Sequence, residues 1–354
     1  TPEVRPLPGG AFVTASGPAV ELGRSWGHAF GDALEAAYEA RVLAPMRKGT
    51  WAGSGETPWD WWPSFLDTTP LVLPKAGAAL RGRLATAPAG VRAVLEGAAF
   101  SSSVPFDALW MSLNADAPAA PAEMMSIAVT GGQAGADDLL VAQHRNNRAE
   151  GPLGIIRYAP EEGQPCLLVL EAAHFGFLAG MNAAGVVLAV DGQGGAPPGT
   201  VAGMRVSFAM LDLLVGAADL AEALAGLKKI PAPVGFRVMA GGPSDGGYEA
   251  AVYSLGGAPE VRAVEDGLLT GLPEAGVLDV GATAVLAALG GERIVGWEEL
   301  GEAVTGSNGL WRSESQYALV FQPKRGRLHA ALGDGAGGAG VFETFMIVGG
   351  AGDE

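Results

Sequence analysis

Between residues 20 and 43 apolar side chains recur at every fourth position, Leu22, Trp26, Phe30, Leu34, Tyr38 and Val42, which lays one continuous stripe along a helix. Two shorter helices are predicted further on, each opened by a proline at a first-turn position. Pro88 leads into Val91, Val94, Leu95 and Ala98, and Pro105 leads into Leu109, Trp110 and Leu113. Between the first helix and these two lies a segment rich in indoles, Trp51, Trp59, Trp61 and Trp62, broken by Gly53, Gly55, Pro58 and Pro63. It reads either as a loop whose rings cover an edge of the core, or as an aromatic lid over a pocket or a docking patch.

Near Met124 the period changes. Short runs rich in β-branched and aliphatic residues follow at 126–130, 138–143, 166–171, 175–178 and 186–190, separated by turn residues. A helical pattern returns over 204–228, interrupted at Gly216 and stopped by Pro231. Strand-like runs come back at 236–239, 248–253 and 261–264, a helical stretch is expected at 277–289, and final strands at 317–321, 328–332 and 342–348. Strands in hairpins with helices in blocks predict an antiparallel α+β fold with two sheets and helical outer layers. A single domain over 1–354 is expected, with a mainly helical part at 11–123 and a sandwich part at 124–354.

Composition narrows the function classes. A net charge of -16 repels phosphate backbones and anionic lipid surfaces, which argues against nucleic acid as a partner. No run reaches the ~18 uninterrupted apolar residues of a membrane-spanning helix. The one cysteine, Cys166, excludes an internal disulfide and opens an apolar run, where a buried inert thiol is expected. His28, His144, His174 and His329 are too scattered to mark a metal site, and no cofactor motif occurs. The Gly-rich stretch 333–340 lacks the Lys-Ser/Thr ending of a phosphate loop and reads as a turn between strands; no Gly-x-Ser-x-Gly elbow exists. The Pro-rich start at 1–10 fits what remains after removal of a signal or lipoprotein leader, which would place the protein in the periplasm or outside the cell; otherwise it is cytoplasmic.

Three separated stretches carry a resemblance. Residues 88–114 hold an alanine-rich helix, then Val104-Pro105-Phe106-Asp107-Ala108-Leu109 and Asn114; residues 175–185 read Phe-Gly-Phe-Leu-Ala-Gly-Met-Asn-Ala-Ala-Gly; and 248–270 with 317–354 include the Gln322–Pro323 turn. In order and spacing they resemble bacterial members of the penicillin acyltransferase family of N-terminal-nucleophile hydrolases. The resemblance implies a four-layer αββα sandwich of two antiparallel sheets. It also implies a chemistry in which an internal cysteine cuts the bond before it, and its freed amine serves as the base.

That chemistry is absent where the resemblance would put it. The family's Gly-Cys-Thr-Ser matches Glu123, Met124, Met125 and Ser126 here. A thioether at Met124 has no ionisable proton and cannot open the backbone. The family's next hairpin matches Gln143, His144, Arg145 and Asn146, so the carboxylate that would orient the amine has become the amide of Asn146. The oxyanion asparagine expected after Thr270 is replaced by Gly271, which has no side chain to donate. The expectation is an uncleaved, catalytically silent homologue that keeps a pocket lined by Met124 and Met125. Its ligand would be acyl-bearing or peptide-like, or a protein partner docking through Trp59, Trp61 and Trp62. The alternative is an amide hydrolase or acyltransferase with Ser126 as relocated nucleophile. His144 and Arg145 either line the former cleft or sit solvated on a hairpin.

Overall fold

The computed structural model describes residues 2–47, 89–114, 123–146, 151–173, 175–192, 202–230, 236–255, 261–263, 268–270, 294–305, 315–333 and 341–347. The tryptophan segment, His174, the helical stretch at 277–289 and Gly271 lie outside these residues.

Two sheets carry the architecture. The nine-stranded sheet is built from β1 (Val4–Leu7), β2 (Gly10–Gly17), β5 (Leu153–Pro160), β6 (Cys166–Glu171), β7 (Gly176–Asn182), β8 (Val187–Gly192), β9 (Phe236–Ser244), β10 (Gly247–Leu255) and β11 (Val261–Ala263), in that spatial order. The six-stranded sheet runs β12 (Leu268–Thr270), β3 (Glu123–Thr130), β4 (Leu139–Asn146), β13 (Ser315–Gln322), β14 (Arg327–Leu332) and β15 (Glu343–Met346). All pairs are antiparallel except β2 with β5, which run parallel from Gly10↔Leu153 to Gly17↔Pro160.

The alternation of side chains sorts the core into three apolar layers. Val13, Ile156, Leu168, Leu188 and Val238 face helices on one side of the large sheet. Phe12, Ile155, Val169, Ala189 and Met239 face the other way and meet Ala128, Val141, Leu319, Phe321 and Leu328 of the small sheet. The outer face of the small sheet, with Ile127, Val129, Leu140, Ala142 and Val320, packs on Leu300 and Val304 of a helix, α7 (Trp297–Thr305). The protein is therefore α+β, in four layers, helices outside and two sheets within.

The helices on the large sheet are α1 (Ala19–Tyr38), α2 (Ala44–Arg47), α3 (Ala89–Ser101), α4 (Phe106–Asn114), α5 (Ala202–Gly216) and α6 (Leu220–Leu227), with a π-helical turn, Glu39–Leu43, joining α1 to α2. α1 buries Leu22, Trp26, Phe30 and Leu34 of the predicted stripe, and the π-helical turn buries Val42. It touches α3 backbone to backbone, because a Cβ on Gly23 would stand 1.9 Å from Val94 O and one on Gly97 2.0 Å from Val20 O. The Gly180-Met181-Asn182 hairpin has an equally concrete cause. The fully buried Asn182 donates through Nδ2 to Leu214 O and Ala217 O, each at 2.7 Å, and accepts from Val186 N–H at 2.9 Å, pinning the β7–β8 turn to the end of α5.

Three features depart from the sequence reading. The N-terminal stretch before the first helix, where the pattern predicts no strand, is a β-hairpin, and its second strand adds the one parallel pairing among the described strands. β5 forms where the pattern predicts no strand, because Gly154 and Arg157 within it spoil the alternation. The expected helix at 20–43 passes through the π-helical turn. No helix among the described residues is long and apolar enough to cross a membrane.

Replacing Gly97 by Ala should separate α1 from α3. Overpacking of this kind costs about 1–3 kcal/mol or more, so thermal unfolding of G97A should shift down by several degrees. An unchanged midpoint would show that the helices slide apart without loss.

Candidate functional site

The candidate site is assembled at one end of the small sheet by the β3–β4 hairpin. Its register sets Met124 opposite Arg145, Met125 opposite His144 and Ser126 opposite Gln143. β12 lies on the other side of β3, with Thr270 opposite Ile127; Gly271 would follow Thr270. β13 lies beyond β4, with Tyr317 opposite Arg145 and Ser315 opposite Asn146. The positions that the resemblance singles out are therefore neighbours in space, although more than 140 residues separate 126 from 270.

Strand alternation divides them between two faces. Ser126 shares the face of Ala128, between the sheets, and is fully buried there. Gln143 sits beside it, also fully buried. Its Nε2 donates across the gap to Val190 O at 2.8 Å and Leu178 O at 3.3 Å, while its Oε1 accepts from the Tyr317 hydroxyl at 3.2 Å. The amide thus ties the two sheets together. Arg145, two residues on, makes a second tie: its Nη1 lies 2.5 Å from Glu171 Oε1 at the end of β6, both side chains being largely withdrawn from solvent. The Arg145 Nε is buried with no hydrogen-bond partner among the described residues.

Glu171 opens the β6–β7 turn, which is itself held firmly. Trp26 Nε1 donates to Ala172 O at 2.7 Å. Phe175 adopts φ 50, a backbone conformation that costs a bulky residue of order 1–3 kcal/mol. It is kept there by a stack on Phe208, ring centroids 4.8 Å apart, and an edge contact with Trp26 at 4.8 Å.

Met125 and His144 are on the opposite face. Met125 packs in the layer under α7, and His144, only 2% exposed, has its Nε2 3.1 Å from Ser315 Oγ. Of the two readings of His144, neither the solvated hairpin nor the inter-sheet cleft matches this placement: the ring is buried on the outer side of the sheet. Met125 likewise lines no space between the sheets. Met124 and Asn146 are placed by their strand positions alone, their side chains lying outside the described set. Cys166 is fully buried in the helix-side layer, and burial pushes its thiol well above the ordinary thiol range, so it stays protonated.

Three partners are not foreseen from the sequence: Tyr317, Glu171 and Ser315. A fourth feature is not foreseen at all. At the far end of the small sheet, on its outer face, the Gln322 amide donates from Nε2 to Asp137 Oδ2 at 3.1 Å and accepts at Oε1 from His329 Nε2, 2.7 Å away. His329 Nδ1 then accepts from the Thr344 hydroxyl at 2.8 Å. Arg325 Nε donates to the other oxygen of Asp137. The imidazole is stacked flat on Trp297 of α7, centroids 3.8 Å apart. Because the Gln322 amide is oriented by Asp137, the ring must carry its proton on Nε2, and a neutral histidine satisfies every partner. Among the described residues no group of three or more His, Cys, Asp or Glu is placed to hold a metal ion.

A comparison with solved structures matches a point mutant of the conjugated bile acid hydrolase from Clostridium perfringens, with 13% sequence identity and a TM-score of 0.30, over 59% of this chain and 89% of that one. No family model and no curated protein sequence matches the chain. A likeness of that degree assigns neither substrate nor activity.

Replacing Gln143 by Leu would remove the donor that crosses to Leu178 O and Val190 O between the sheets, at a cost of about 2–4 kcal/mol; denaturant unfolding of Q143L measures it, and a cost below about 1 kcal/mol would show that the tie is dispensable. His329 gives a pH dependence. Burial first, then the charge of Arg327, hold its ring down at about 4 against an ordinary 6.5, with Asp137 pulling the other way. The unfolded chain therefore takes up a proton that the folded chain refuses, and stability falls as pH drops from 6.5 towards 4, by up to about 1.4 kcal/mol per pH unit. The variant H329Q should lose that acid slope in a thermal melt series. An identical slope in both proteins would assign it to other groups.

Proposed function

We propose that this chain is a catalytically silent homologue of N-terminal-nucleophile acyltransferases and amidohydrolases, kept as a binding or scaffolding protein for an acyl-bearing or peptide-like ligand or a protein partner. The observation that carries the reading is the use made of the β3–β4 hairpin. Methionine stands at position 124, on a strand paired without a break from Glu123 to Thr130, and the adjoining polar groups, Gln143 and Arg145, are engaged in joining the two sheets. A nucleophile of this type needs a thiolate or alkoxide in reach of a base and of solvent-borne substrate. Position 124 offers a thioether instead.

The second reading, a relocated nucleophile at Ser126, meets two physical obstacles. The hydroxyl is fully buried between the sheets. The histidine nearest to it in the register, His144, is turned to the other face, where Ser315 engages it. A serine hydroxyl becomes a competent nucleophile at neutral pH only with a general base in hydrogen-bond reach, and this imidazole is not placed to be that base.

Intact mass spectrometry of the purified protein tests the proposal. One 35.8 kDa species is expected; two fragments that sum to that mass, split beside residue 124 or 126, would establish an enzyme. The variant M124C should also stay whole, because Asn146 and Gly271 supply neither the carboxylate nor the oxyanion donor. Rapid self-cutting of M124C would overturn the placement of those two positions.

A further inference from the structure

The polar chain at the far end of the small sheet ends on a hydroxyl. Thr344 and His329 stand opposite each other in the register of β14 and β15. Ile347 N–H donates to Gly326 O, so the 329–344 pair, an odd number of steps away, is of the non-hydrogen-bonded kind whose side chains stand closest. The imidazole is only 2% exposed, whereas Thr344 is exposed. The hydroxyl thus stands between solvent and the ring. Met124, Ser126, Gln143 and Arg145 take no part, so this chemistry is independent of the silence proposed for position 124.

The ring is fixed in each respect that matters for proton transfer. Trp297 is stacked on it with an interplanar angle of 6°, which sets its plane. Gln322 Oε1 takes the Nε2 proton at 2.7 Å, and Asp137 Oδ2 holds the amide nitrogen at 3.1 Å, which sets the tautomer. The one remaining lone pair, on Nδ1, is 2.8 Å from Thr344 Oγ1. A hydroxyl, a base in hydrogen-bond reach of it and a third group orienting the base are the parts of an activated nucleophile. β15 is the last strand of this sheet among the described residues. By the same register Thr344 N–H points away from β14, where it can donate to a developing oxyanion. Half-buried Phe342, its ring centre 6.1 Å from that of Trp297, offers an apolar surface two residues away.

We propose that Thr344 is an acyl-accepting nucleophile for activated carboxylic esters, with His329 as its base. Thr344 Oγ1 attacks the ester carbonyl and passes its proton to His329 Nδ1. The bond from the carbonyl carbon to the leaving oxygen breaks, and its electron pair departs with the leaving group. The imidazolium then returns the proton to that anion or to water, and the product is a threonyl ester. Burial first, then the charge of Arg327, keep the ring uncharged at neutral pH but make it a weak base. The acyl donor must therefore carry a good leaving group: an aryl ester qualifies, and an amide does not.

Incubation of the full chain with 4-nitrophenyl acetate at neutral pH tests the proposal, read by release of 4-nitrophenolate and by peptide mass spectrometry. One acetyl group per chain is expected, on Thr344. H329Q should slow its addition about a hundredfold, T344S should retain it, and T344V should carry no acetyl group on that peptide. Acetyl groups on lysines alone, or full-rate acetylation of Thr344 in H329Q, would overturn the proposal. An acetyl group on Ser126 in place of Thr344 would overturn it together with the silent reading, whereas an unlabelled chain would overturn it alone. Should H329Q fail to fold, the exposed position 344 still decides the matter: equal release by the unaltered chain and by T344V would place the nucleophile elsewhere.

Discussion

Two sheets pressed face to face exclude water from the layer between them, and every polar group that the strands carry into that layer must find a partner inside the protein. Leu, Val, Ile and Phe fill most of this layer, and the β3–β4 hairpin is where polarity enters it. Gln143 meets the requirement by reaching across to two carbonyls of the opposite sheet and accepting a phenol from its own. The same bonds that make the side chain tolerable there fix it, so it no longer has a hydrogen bond to offer a reacting group. Arg145 and Glu171 repeat the arrangement nearer the rim, where partial exposure lowers the desolvation cost of a charged pair.

Much of the fold is legible because the layers impose different periods. Strands β6 and β8 are buried on alternate sides by two apolar layers and read as short runs of Val, Leu and Ala; α1 presents one stripe and reads at fourfold spacing. The N-terminal hairpin escapes notice because Arg5 and Pro6 are exposed on a short strand, and β2 is interleaved with Thr14 and Ser16. β5 escapes because Gly154 sits at a tight approach: a Cβ there would come within 3.2 Å of Phe30 and Leu170 side chains, which would have to give by a few tenths of an ångström. Glycine in a strand interior reads as a break, although here it marks the close passage of a helix.

The candidate site is half legible. The β3–β4 register sets Met124 opposite Arg145 and Ser126 opposite Gln143, and period-two alternation sends Met125 and His144 to the far face, a consequence available from the strand pattern alone. A sequence cannot disclose who stands across a gap. Nothing in the local pattern around Glu171 or Tyr317 distinguishes them from other strand-end residues, and the Asp137–Gln322–His329–Thr344 chain joins residues from a 3₁₀ turn and three strands. Buried polar networks of this kind are specified by three-dimensional packing, with no fixed spacing to betray them.

The choice between a silent protein and a relocated nucleophile then turns on what opening would cost. For Ser126 to meet a substrate the sheets must part at its level, and the Gln143 bonds and the Arg145–Glu171 pair break together. At about 1–1.5 kcal/mol for each such bond, the two amide bonds that cross to Leu178 and Val190 and one largely buried ion pair come to roughly 3–4.5 kcal/mol, which leaves an open form in about one molecule in a hundred or fewer. An active hydrolase would carry that penalty on every turnover and would still need a base, which His144 cannot supply from the other face. A binding protein carries no such penalty, since for it the ties only make the scaffold stiffer.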